Sequence, residues 1–330
     1  MRTTWIGLGL LALSVATSTA RADASPPRVP LDVVREVTTG KWPEGLVVQD
    51  NVAWVADSGD RRLLAIDLKT GEQTPYPVGR LPTAMARTTD GTILALVNTD
   101  KRVYRVAPGA RKAVLTGALP DCPETMVVDA DRLFVLLWSR CSSADGRVAR
   151  VDPKTGKASP GPMLGAGVID LAVVGERAYV AHMDTRVTRL DPATLAVLAV
   201  WEVPGRHQHL RATAQAVYLD ADERLVRLDP ATGALTHQVA LGARVSTLEV
   251  RGESVFVALP SGEIHEFDTA DLRLRRVLAP QIEAFEPRAL AFHGDHLLVT
   301  SFRRDPKALA GDGGRLLVFS VRGADGARAE

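Results

Sequence analysis

In 330 residues, 40 lysines and arginines balance 39 aspartates and glutamates, giving a formal net charge of +1 with no block of like charge. Such a balance argues against nucleic acid or an anionic membrane surface as partner. There are only two cysteines, Cys122 and Cys141, and they form no C-x-x-C motif.

The chain begins MRTTWIGLGLLALSVATSTARADA, with one arginine, an apolar run from Ile6 to Ala16, and small residues at Ala20, Ala22 and Ala24. This reads as a secretory signal peptide over residues 1–22, cut after Ala20 or Ala22. The run is far shorter than the about 20 residues a membrane span needs. A Pro-rich leader follows at 23–30, then a single domain expected over 31–323 and a short disordered tail at 324–330. The expected location is secreted or periplasmic.

The domain is built from copies. RLVRLDPATGAL at 224–235 echoes RVTRLDPATLAV at 186–197 and RVARVDPKTGKA at 147–158. An alternating run followed by Asp-Pro-x-Thr-Gly spells a strand and a tight turn: the aspartate accepts from nearby amides, proline presets φ, and glycine takes the left-handed conformation. The residues ending the copied strand are Asp67, Ala107, Asp152, Asp191, Asp229, Asp268 and Ser320, spaced 40, 45, 39, 38, 39 and 52 apart. An apolar strand precedes each, from NVAWVAD at Asn51 to HLLVTS at His296. Seven units of about 40 residues with four short strands and no helical periodicity define an all-β, seven-bladed β-propeller with four-stranded antiparallel blades. A β-solenoid is the rival, but it needs shorter rungs and capping segments. The seventh unit lacks its last strand, while LDVVREVT at 31–38 has no unit before it. That segment is expected to close the ring as the outer strand of blade seven.

In a blade, strands A to D run outward from the axis, so the start of A and the end of B share one face. The A starts are PEGL, PTAM, PETM, VIDL, HQHL, VSTL and PRAL, beginning at Pro43, Pro82, Pro123, Val168, His207, Val245 and Pro287. Unlike the turn, these do not repeat. Ligand contacts are therefore expected at Glu44, Glu124, Asp170, His209 and Arg288, and at the B ends Asp57, Asn98, His182 and Asp220. Glu44, Glu124, Asp170 and His209 also offer oxygen and nitrogen donors for a divalent cation such as Ca²⁺, Mg²⁺ or Zn²⁺. Two insertions, SRCSSADGR and RRDPKALAGDGGR, fall on the same face, as a lid or as tolerated surface loops. Cys122 precedes strand A of blade three and Cys141 follows strand B, so pairing about a turn near Ala130 brings them together as a disulfide. No G-x-S-x-G, H-E-x-x-H, Walker loop or C-x-x-C-H is found, and GAGVID at Gly165 lacks the helix a dinucleotide loop requires.

The apolar strands followed by RLDPATG resemble the YncE-like, YVTN-type repeats of exported bacterial propellers, within the wider NHL and quinoprotein-like group. That resemblance spans the mature chain and implies a binding or scaffolding role without turnover. The expected partner is a small molecule or an envelope or extracellular protein, engaged by a monomer. More locally, PEGLVVQDNVAWVAD at 43–57 is similar to the first blade of gluconolactonase and SMP-30-type lactonases, where a Glu-Gly puts the glutamate on a divalent cation. Only Glu44 carries over, because the later Asn-Gly and Pro-Asp-Gly motifs have no counterpart. A metal-dependent lactonase or esterase, and a structural component of an envelope complex, are the alternatives.

Overall fold

The structure, a computed structural model, describes residues 26–282, 285–303 and 313–321. The signal-peptide segment, most of the blade-seven insertion and the tail lie outside these residues.

The described residues form seven antiparallel four-stranded sheets, one of them extended by a fifth strand. Their innermost strands are β3 (Pro43–Gln49), β7 (Pro82–Arg87), β11 (Cys122–Asp129), β15 (Val168–Val174), β19 (Leu210–Ala212), β23 (Thr247–Arg251) and β27 (Phe285–His293). Each touches the next, and β27 returns to β3, so the ring is closed. The propeller expected from the copied units is the fold observed. Strand B of each blade is buried on both faces, as in Ile93–Val97 and Val217–Ala221, because blades stack face to face around the axis.

The copied turn behaves as its residues dictate. Oδ1 of Asp67, Asp152, Asp191 and Asp229 accepts the amides two and three residues on, at 2.7–2.9 Å. Those amide bonds hold each of the four carboxyls below the usual carboxylate range. At the fourth residue on, Gly71, Gly156 and Gly233 take φ of 80°, 68° and 75°. In blade four a leucine, Leu195, adopts the same conformation at φ 61° and is nearly fully buried. Gly233 has a second reason: a Cβ there would lie 2.1 Å from the indole of Trp201.

Closure uses two strands. β2 (Val33–Thr38) pairs antiparallel with β29 (Gly314–Ser320), supplying the missing outer strand of blade seven as the sequence predicts. Ahead of it, β1 (Arg28–Leu31) pairs parallel with β26 (Leu274–Pro280) and adds a fifth strand to blade six. That strand uses the end of the Pro-rich leader, where no strand was expected. Leu31, 1% exposed, packs in one cluster with Ile264 and Leu278 of blade six and Leu317 and Phe319 of blade seven. The N-terminal segment thus covers the outer edges of two neighbouring blades, the edges most open to unwanted pairing.

Cys122 and Cys141 form a disulfide, with Cα atoms 4.8 Å apart. It ties the start of β11 to the loop above β12 (Arg132–Trp138), as their spacing predicts.

Candidate functional site

A cavity of about 760 Å³ occupies the axis, and all seven blades line it. What aims side chains into it is a recurring irregularity in strand A. Pairing with strand B breaks register between Pro43 and Leu46, Pro82 and Met85, Pro123 and Met126, Val168 and Asp170, and Pro287 and Ala289. A bulge of this kind leaves residues outside the ladder and redirects their side chains. The residues caught in it include Glu44, Thr83, Glu124, Ile169 and Arg288. In blades five and six strand A starts later, and Gln208–His209 and Arg244–Ser246 from the preceding loops take the equivalent places on the wall. Gly45 follows Glu44 for steric reasons: a Cβ there would sit 2.9 Å from the Thr83 carbonyl oxygen of the next blade.

The wall is heavily charged, and most of its charge is already matched. Arg288 reaches Glu44 Oε2 at 3.0 Å across the blade seven–blade one junction and lies 4.9 Å from the Phe302 ring centroid. Arg211 bridges Asp170 Oδ2 at 3.1 Å and Glu249 Oε2 at 3.3 Å, joining blades four, five and six. Burial acts against the Arg211 charge, but these two carboxylates outweigh it and hold its pKa above the usual value. Asp170 accepts two amides besides, from Leu171 and Leu210, each at 2.8 Å.

Glu124 is different. It makes no hydrogen bond or ion pair among the described residues. Burial, then the nearby charges of Asp170 and Glu44, push its carboxyl up to about 7. The channel therefore holds a carboxyl poised to ionise near neutral pH.

Of the nine expected contacts, five line the cavity: Glu44, Glu124, Asp170, His209 and Arg288. The four B-strand ends point elsewhere. Asp57 is fully buried and accepts Arg62 Nε at 2.8 Å; burial, more than this contact, sets its carboxyl above the usual range. Asn98 donates to the Pro123 carbonyl at 2.6 Å, a clasp between blades two and three. The buried His182 ring lies 3.1 Å from the Ala166 carbonyl oxygen and 2.9 Å from Thr188 Oγ1, and burial lowers its pKa. Asp220 accepts the amides of Gln208 and His209 at 2.8 Å each, fixing the loop that carries the channel residues. Arg211, Arg244 and Glu249 were missed. For Arg211 the signal was present, since His209 and Arg211 alternate along an extended segment.

The candidate metal set does not fit a cation. Glu44 and Asp170 are engaged by arginines, and Nδ1 of His209 lies 3.6 Å from Asp220 Oδ2. Among the described residues no group of three or more His, Cys, Asp or Glu side chains is close enough to share a metal.

Together these features define a seven-bladed propeller with a polar axial cavity. A protein-family model described as outer membrane protein assembly factor BamB matches residues 144–278, from the third strand of blade three through blade six. Two crystal structures of virginiamycin B lyase from Staphylococcus aureus are similar to the chain. One is selenomethionine-substituted and the other a catalytically inactive variant with quinupristin. Each has 14% identity and a TM-score of 0.69 over 86% of this chain and 98% of the other, a likeness of fold. No curated protein matches. The disulfide and the BamB-type match fit an envelope or extracellular location. No helix among the described residues is long and apolar enough to cross a membrane.

Proposed function

We propose that this protein is an exported binding protein that holds a small polar molecule in its axial channel without turning it over. The observation that carries the reading is the contrast between copied blades and uncopied wall. Seven bulged or loop-borne segments deliver different polar side chains to one cavity, of a size suited to small ligands. Ligand capture by a preformed concave site needs no moving part, and the arginine–carboxylate pairs fix the wall's geometry in advance. A thermal-shift screen of small polar metabolites tests it. A true ligand at a hundred times its Kd stabilises the fold by about 2.7 kcal/mol, and substitution of Glu124 or Arg244 removes that gain. A screen with no stabilising compound counts against it.

A structural role in an envelope assembly is the second reading. It is favoured by the BamB-type match and by the outer strand β18 (Val197–Glu202), where Val197, Leu198 and Val200 are 45%, 52% and 53% exposed. Charged substitutions on β18 then abolish complex formation while channel substitutions leave it intact. The lactonase reading draws no support from the channel, because Glu44 is occupied by Arg288 and the other proposed donors do not gather around it.

A further inference from the structure

The wall's ion pairing can be followed residue by residue, and it does not balance. Glu44 is matched by Arg288, and Asp170 and Glu249 share Arg211. Among the described residues, Glu124, on blade three, has no arginine, lysine or histidine paired with it, and the charges that act on it are the carboxylates of Asp170 and Glu44. With Glu124 ionised, these six groups comprise four carboxylates and two guanidinium ions. A second observation is independent of charge. Thr83 Oγ1, on blade two beside Glu124 in the ring, is buried and has no hydrogen-bond partner. The blade-three side of the channel therefore presents an unmatched carboxylate, while the unsatisfied Thr83 hydroxyl is itself closed off from the cavity.

We infer that the blade-three side of the channel is a subsite for a small organic ammonium ion, whose charged group pairs with Glu124. This rests on the binding reading above and names the ligand's chemistry. An ammonium group suits the place because a primary amine brings hydrogen-bond donors and one positive charge, which the Glu124 carboxylate lacks. A bare divalent cation would require several carboxylates to converge, and arginines hold the neighbouring ones.

Calorimetric titration of the full chain with 1,4-diaminobutane, with 1,4-butanediol as its uncharged counterpart, tests the inference. The charged groups facing Glu124 are Glu44 with Arg288, and Asp170 with Arg211 and Glu249. His209, Arg244 and Glu286 lie farther round the wall. Since the Glu124 carboxyl titrates at about 7, the diamine should bind one to one at pH 8 and weaken roughly 50- to 100-fold by pH 5. Glu124→Gln should lower the affinity at pH 8 at least tenfold and remove most of the pH dependence. The diol should give no heat of binding. Three results overturn the inference: no saturable diamine binding at pH 8, binding unchanged by Glu124→Gln, or tighter binding of Mg²⁺ or Ca²⁺ than of the diamine. If a neutral or anionic compound from the thermal-shift screen binds in the channel while the diamine does not, this inference fails and the binding reading stands. If neither binds, both fail.

Discussion

The outer turns and the inner bulges of this propeller are built under opposite constraints. At the turns between strands C and D, Asp-Pro-x-Thr-Gly recurs because one geometry must be made repeatedly: an aspartate closes two amides and a left-handed residue ends the loop. At the start of strand A, a repeated backbone irregularity carries residues that differ from blade to blade. Copying therefore marks where the chain needs shape, and variation on a copied frame marks where it needs chemistry.

The largest predicted effect tests the frame. Deleting residues 26–38 removes both closing strands, uncovers the edges of blades six and seven and strips Leu31 from their shared cluster. The expected outcome is loss of the cooperative thermal transition by circular dichroism; Leu31→Ala alone should cost about 2–5 kcal/mol. An unchanged melting curve would show that the ring closes without these strands. Next is Asp170→Ala, which leaves Arg211 with one carboxylate and orphans the Leu210 amide. Breaking a pair of this kind costs about 3 kcal/mol, read as a shift of the urea midpoint.

Two glycines separate shape from space. Gly233→Ala meets both a positive φ and the Trp201 ring, so about 2–4 kcal/mol is expected from strain and overpacking. Gly109→Ala has a positive φ of 73° but open space around it, and should cost only about 1 kcal/mol. Equal costs would mean that contact with Trp201 contributes nothing.

A pH-dependent effect concerns the wall. Because the folded pKa of Glu124 lies above its unfolded value, the fold binds the extra proton between about pH 4.5 and 7. Stability from this group is complete below 4.5 and is lost as pH rises through about 7. Glu124→Gln should thus stabilise the protein at pH 8, by on the order of 1–3 kcal/mol, and change little at pH 4. The buried His182 and His207 work the other way. Burial depresses both, so their contribution is present above about pH 6.5 and fades as pH falls.

Much of the frame was legible in the sequence because it is local and repeated. A turn motif, an apolar strand and a 40-residue period suffice to count blades, and one missing strand against one extra strand suffices to close them. The disulfide followed from the same placement. The first closing strand was not legible, since Arg28–Leu31 is four residues of a Pro-rich segment with no alternation to mark it. The channel was half legible. Polar starts of strand A identified Glu44, Glu124, Asp170, His209 and Arg288, but the B-strand ends, equally polar, turn into the protein, Asn98, His182 and Asp220 to backbone and Asp57 to the Arg62 side chain. No single-strand pattern distinguishes an aspartate that faces a ligand from one that caps a loop. The bulge is also silent in sequence, because it is defined only by the partner strand. The Glu44–Arg288 pair joins residues 244 apart, and only a closed ring brings them together.

The most direct test of the central claim, that the bulged wall leaves the Glu124 carboxyl without a counter-ion among the described residues, is a carbon-13 NMR titration of the Glu124 side chain. The wall described here predicts a midpoint near 7, falling when diamine saturates the channel. A midpoint at the ordinary glutamate value of about 4.3, unmoved by diamine, would contradict it.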